Sequence, residues 1–154
     1  MSSNFQTGAP SLTTVLDLAR ARTLVLRDID VPLGGHHGLG LNDLAVLLEL
    51  KAAPAWTLRR VELARRLAVT TSGIARQLAP LERIGLVARE SDLMDARLAL
   101  VVLTPRGAEV AGEARATAEE AAAHALRNIW SDDDLATLAP LLRKASAGLV
   151  RPVG

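Results

Sequence analysis

The stretch from residue 58 to residue 107 constrains this chain more than any other. It strings together a helix, a tight turn, a second helix and a two-stranded hairpin with a charged tip. Apolar residues recur at helical spacing, and turn residues punctuate them. Thr57 is expected to cap a helix over 58–67, with Ala68-Val69-Thr70 as the turn. A second helix is expected over 71–84, and Gly85 stops it in the left-handed conformation that favours glycine. Leu86 to Ser91 and Leu98 to Leu103 read as strands joined by the polar tip Asp92-Leu93-Met94-Asp95-Ala96-Arg97.

The two helices can pack Val61, Leu63, Ala64 and Leu67 against Ile74, Leu78 and Leu81. Thr71, Ser72, Ala75, Arg76 and Gln77 then face outward near the start of the second helix, next to Thr70 of the turn. Short hydroxyls and an arginine at a helix N-terminus can both grip phosphate and reach base edges. Gly73 and Pro80 are poor helix formers in this segment. Gly73 is read as a site of close packing or close approach to DNA. Pro80 removes the bond to the Arg76 carbonyl and is expected to kink the helix. In the hairpin, Arg89 and Arg97 are candidate phosphate or minor-groove ligands. Asp95, two residues before Arg97, is a brace for the tip.

Charge agrees with this placement. The chain of 154 residues has a net charge of only +1. Residues 58–107, however, hold nine arginines against five acids, and the rest holds nine basic against twelve acidic residues. A basic centre between acidic flanks is the footprint of a nucleic-acid face. The absence of cysteine excludes disulfides and thiolate metal sites. The longest apolar run, Leu98 to Leu103, is too short to span a bilayer, and residues 1–10 lack a signal-peptide core. A cytoplasmic protein without membrane contact is expected.

The flanks read as helices. Residues 11–30 carry an apolar stripe too wide for one small core, and Val31-Pro32-Leu33-Gly34-Gly35 is expected to break that helix. A second helix runs from an Asn42 cap to about Ala52. Thr104-Pro105 opens a long helix to about Arg127, roughly 35 Å at about 1.5 Å per residue. Its inner face is alanine, including Ala111, Ala114 and Ala118. Ser131 and Asp134 form a capping box for a last helix that ends near Gly148, with Trp130 and Leu135 as its hydrophobic staple.

Residues 58–107 resemble the winged helix-turn-helix of the multiple antibiotic resistance regulator (MarR) family. The resemblance is carried by Glu62-Leu63-Ala64, Leu67, Val69-Thr70, Leu81-Glu82-Arg83-Ile84-Gly85-Leu86-Val87 and Asp95-Ala96-Arg97, followed by Val101, Leu103-Thr104 and Gly107. It implies a mostly α fold with a small β-hairpin: a winged helix-turn-helix core over 35–104, dimerisation helices over 11–34 and 105–150, and a disordered tail over 1–10. It further implies an intertwined homodimer that binds double-stranded DNA, represses transcription and answers to a small organic effector. No cofactor is implied.

His36 and His37 lie in a Gly-rich stretch, and with Trp56 they are candidates for an effector cleft, although core packing is the simpler role for Trp56. A zinc site needs three or four ligands at workable spacing, and adjacent histidines in a Gly-rich loop are read as solvated. Asp28 and Asp30 point to different helix faces, and no nucleophile stands beside a base. Two alternatives stay open: a winged module that binds protein and no DNA, and a small enzyme with a histidine-lined cleft.

Overall fold

Aliphatic side chains from every part of the chain's middle converge on one core, with Leu33, Leu47, Leu50, Leu63, Ile74 and Leu78 wholly removed from solvent. Burying each such side chain contributes about 1.5–3 kcal/mol. The computed structural model describes residues 10–91 and 99–149. Its order is α1 (Pro10–His37), α2 (Leu41–Ala52), a single 3-10 turn (Pro54–Trp56), β1 (Thr57–Arg59), α3 (Arg60–Arg66), α4 (Thr71–Arg83), β2 (Val87–Ser91), β3 (Ala99–Leu103), α5 (Pro105–Arg127) and α6 (Asp132–Leu149). The expected tail lies largely outside the described residues, and so does the hairpin tip.

The first helix does not break where Pro32 and two glycines suggest. It continues to His37, because Ile29 and Leu33 are core residues whose burial outweighs poor local propensity. The stop comes at Gly38, whose φ is +67° and whose N–H reaches the Gly34 carbonyl at 3.1 Å. The expected boundary at 34/35 therefore falls inside a helix. Asn42 is not the cap of α2; Gly40 is. The open N–H groups are met from elsewhere: Asp43 Oδ2 accepts from Gly40 N–H at 2.9 Å, and Asp30 Oδ1 of α1 accepts from Leu41 N–H at 2.7 Å.

Thr57 does not cap a helix, and the expected hairpin is a three-stranded antiparallel sheet in the order β1-β3-β2. Leu58 pairs with Val101 and Thr57 with Val102, so β1 satisfies the edge of β3 that a two-stranded hairpin would leave open. The chain reaches this strand through Ala55 and Trp56, both left-handed at φ 50° and 54°. Each such non-glycine residue costs about 1–2 kcal/mol, which the pairing of β1 and the burial of Leu58 offset. Trp56 is consequently pushed outward and remains 39% exposed, so it is not a core residue. Val61 is also exposed, on the outer side of the short α3, and takes no part in the α3–α4 packing.

The long α5 forms as expected, with Ala108, Ala111, Ala114 and Ala118 buried against the core. Such small side chains allow α1 and α2 to approach it closely. Thr104 Oγ1 accepts from Gly107 N–H at 3.0 Å and donates to the Gly85 carbonyl at 2.7 Å, fastening α5 to the base of the sheet. The Ser131–Asp134 box is present: Asp134 Oδ2 accepts from Ser131 N–H, and Ser131 Oγ accepts from Asp134 N–H. The Ser131 hydroxyl, which donates to Asp134 Oδ2 at 2.7 Å, and then the Ser131 N–H hold the Asp134 carboxyl below its ordinary range. The α6 helix runs past Gly148 to Leu149.

Candidate nucleic-acid interface

The start of α4 is built around Thr70. Its Oγ1 accepts from Gly73 N–H at 3.0 Å, which satisfies one open donor of the first turn. Ser72 Oγ lies 3.2 Å from the same oxygen. A Cβ on residue 73 would stand 3.0 Å from Thr70 Oγ1, so Gly73 serves close packing of the cap. Buried Ile74, Leu78 and Leu81 lock the other face of α4 to the core. Thr71, Ser72 and Arg76 are exposed, and Gln77 is half-buried beside them. Arg76 has no hydrogen bond or ion pair among the described residues. Pro80 is exposed inside the helix, which continues to Arg83.

Part of the basic charge is engaged within the protein. Arg89 Nε lies 2.8 Å from Glu82 Oε2, an ion pair that ties β2 to the last turn of α4. Glu62 of α3 is gripped by Arg65 at 2.7 Å and Arg66 at 2.8 Å, and Arg66 also reaches Glu49 of α2 at 3.4 Å. The hydrogen bonds from Arg65 and then Arg66 hold the Glu62 carboxyl down at about 2. Any stability from this exposed fork is present above the ordinary carboxylate range and lost as pH falls through about 2. Sequence spacing reveals the fork, since Glu62 precedes its partners by three and four residues. It gives no sign of the Glu82–Arg89 pair, which spans a helix end and a strand. Asp95 and Arg97 lie outside the described residues.

The histidine candidates lie in the seam between α1 and α5. His37 Nε2 lies 2.9 Å from Thr117 Oγ1, clasping α1 to α5. His36 lines an open cavity of about 750 Å³ in that seam together with His124, and Trp56 is not part of it. A second open groove, about 650 Å³, lies between α2 and α5. Leu44, Leu48 and Ala118 line it, with Lys51, Arg115 and Glu119 among its polar residues. Lys51 Nζ donates to the Ala108 carbonyl at 2.9 Å, and Arg115 pairs with Glu119 at 2.7 Å. Among the described residues no group of three His, Cys, Asp or Glu is arranged to hold a metal ion. No described helix is long and apolar enough to cross a membrane.

No protein-family model matches the sequence, and no curated protein does. Solved structures do match. A MarR family transcriptional regulator from Streptomyces coelicolor, in complex with DNA, superposes with a TM-score of 0.82 at 24% identity, over 98% of this chain and 95% of that one. A mutant MarR from E. coli, complexed with operator DNA, gives 0.74 at 25% identity over 88% and 94% of the two chains. CouR from Rhodococcus jostii RHA1, bound to p-coumaroyl-CoA, gives 0.73 at 21% over 96% and 99%. In element order, in the three-stranded sheet and along nearly its whole length, this chain has the winged-helix fold of the MarR family of transcriptional regulators.

Proposed function

We propose that this chain is a sequence-specific regulator of transcription that binds double-stranded DNA as a homodimer. The observation that carries the reading is the start of α4. There an exposed, unpaired Arg76 and the hydroxyls of Thr71 and Ser72 project from a helix N-terminus capped by Thr70 and backed by a rigid core. A helix N-terminus attracts phosphate, and side chains there reach base edges in the major groove. The protein of the same fold solved with DNA over nearly the same length supports the assignment. Gln77 flanks the contact. Arg89 reaches phosphate only where it leaves Glu82.

Two subunits related by a twofold axis place their α4 helices about one helical turn of DNA apart, roughly 34 Å. Selection from a random duplex library is therefore expected to enrich a pseudo-palindrome. Recovery of no motif, or of single strands, would remove the reading. Repression and a cytoplasmic location go with it, and the reading is regulatory rather than catalytic. A small organic effector has room in the α2–α5 groove, whose apolar wall is edged by Lys51 and by the Arg115–Glu119 pair.

Arg76→Ala is expected to weaken binding to the selected site by about 5- to 150-fold, the loss of roughly 1–3 kcal/mol that accompanies a base-reading arginine. Binding to random duplex should fall much less. Fluorescence anisotropy at fixed salt separates the two. An equal loss on both duplexes reassigns Arg76 to a phosphate contact.

A further inference from the structure

Arg89 of β2 and Glu82 of α4 face each other across the notch between the last turn of the helix and the strand that leads to the hairpin tip. The strand register explains the placement. Arg89 stands opposite Val101, and Glu90 stands opposite Leu100. Residues directly opposite each other leave a sheet on the same side, and successive residues leave it on opposite sides. Val101 is buried, so Arg89 leaves the sheet on the side of the core and of α4, and Glu90 leaves it on the other. The helix side of the notch is equally fixed, because Ile74, Leu78 and Leu81 lock α4 to the core. Arg89 Nε lies 2.8 Å from Glu82 Oε2, and the two side chains are 42% and 39% exposed. The guanidinium is held at one spot and is open to solvent.

Glu82 is not where helix stability would put an acid. It lies in the last turn of α4, where open carbonyls carry partial negative charge and disfavour a carboxylate. The pair itself contributes little, since an exposed ion pair is screened and costs side-chain entropy. It also differs from the neighbouring fork. There Glu62 takes Arg65 and Arg66 from its own helix, whereas Glu82 takes its arginine from a strand. A carboxylate and a phosphate offer a guanidinium the same pair of acceptor oxygens. The oxygen that Glu82 sets beside Arg89 thus occupies the place of a phosphate oxygen.

We propose that Glu82 is an internal competitor for the DNA backbone: it holds Arg89 in the free protein, and Arg89 exchanges it for a phosphate when the start of α4 enters the major groove. The exchange rests on the DNA-binding function proposed above. It makes Glu82 a positioning residue that lowers affinity for every duplex alike. A phosphate contact carries no base information, so specificity stays with the start of α4.

The test is fluorescence anisotropy of the full chain on the selected and the random duplex over a salt series. Glu82→Gln should tighten both duplexes by the same factor, up to about fivefold, the range of an exposed pair. Arg89→Ala should lower the slope of log affinity against log salt by about 0.9, the share of one phosphate contact. In the double variant the gain from Glu82→Gln should be lost, since such a cycle isolates the pair. Glu90→Gln removes an acid from the other side of the same strand and should give a smaller gain. Both members of the pair are exposed, so every variant should melt close to the wild type. Weaker binding by Glu82→Gln would mean that the pair only braces β2 on α4. A gain that persists in full without Arg89, or that Glu90→Gln matches, would reduce Glu82 to long-range charge. An unchanged slope for Arg89→Ala would keep Arg89 off the phosphates. Any of these three results overturns the exchange and leaves DNA binding standing. A wild-type chain that binds no duplex at any salt would sink the function proposed above, and the exchange with it.

Discussion

Gly107→Ala is expected to lower the melting temperature by roughly 10 °C, the shift that about 3 kcal/mol of overpacking produces in a domain of this size. Gly107 is buried in the first turn of α5. A Cβ there would land on the Leu86 carbonyl oxygen and lie 2.7 Å from Leu103 Cδ1. The carbonyl is backbone and cannot rotate aside as a side chain would. It also accepts from Thr104 N–H at 3.1 Å, so moving it loosens the joint between the sheet and α5. Gly112→Ala is the control. Its Cβ would meet only Lys51 Nζ at 3.5 Å, an ordinary contact. Alanine in a helix interior is favoured over glycine by about 0.5–1 kcal/mol, so this variant should be neutral or more stable. Thermal melts of the two variants decide the matter, and equal melting would mean that the α5–sheet contact yields easily.

The second large effect concerns the arms. Leu16→Asp combined with Leu142→Asp is expected to convert a dimer into a folded monomer and to reduce affinity for the selected duplex by about 100-fold or more, the gain that linking two binding modules supplies. Leu12, Val15, Leu16 and Leu18 on α1 are about half exposed or more, and so are Leu141 and, at 44%, Leu142 on α6. Among the described residues of α6 none is buried. Apolar faces of this extent on a chain of 154 residues fit burial against a second copy. Both side chains face outward, so the aspartates should leave the subunit's helical signal intact. Light scattering reads the mass and anisotropy reads the affinity. A wild-type chain that is already monomeric at micromolar concentration would sink this prediction and the palindrome with it.

Local pattern carried the reading of the helix pair. Ile74, Leu78 and Leu81 in α4 repeat at four- and three-residue spacing, and all three are buried, as are Leu63 and Ala64 in α3. Thr104 and Ser131 are legible as caps because capping geometry involves only the next three residues, whereas Thr57 and Asn42 have the right residue type and cap no helix. The outward placement of Thr71, Ser72 and Arg76 at the start of α4 is legible for the same reason: outward positions follow once the buried stripe is known. The apolar excess on residues 11–30 was equally visible, because a stripe that is too wide is a property of the sequence alone.

What misled was long range. Thr57–Arg59 is too short to announce itself as a strand, and it exists because Leu100 to Val102, some forty residues later, offers an unpaired edge. Trp56 was displaced from the core by the turn that this pairing requires. Pro32, Gly34 and Gly35 spell a break, yet Leu33 must be buried against partners beyond its own segment, and its burial carries α1 through them. Arg89 read as a free cation until Glu82 was seen across from it. The sequence by itself determined which residues are apolar and at what period, since these depend on neighbours within one or two turns. Only the tertiary structure decided the third strand, the length of α1, the partners of the arginines and the meeting of three histidines, since each depends on which distant segments the shared core brings together.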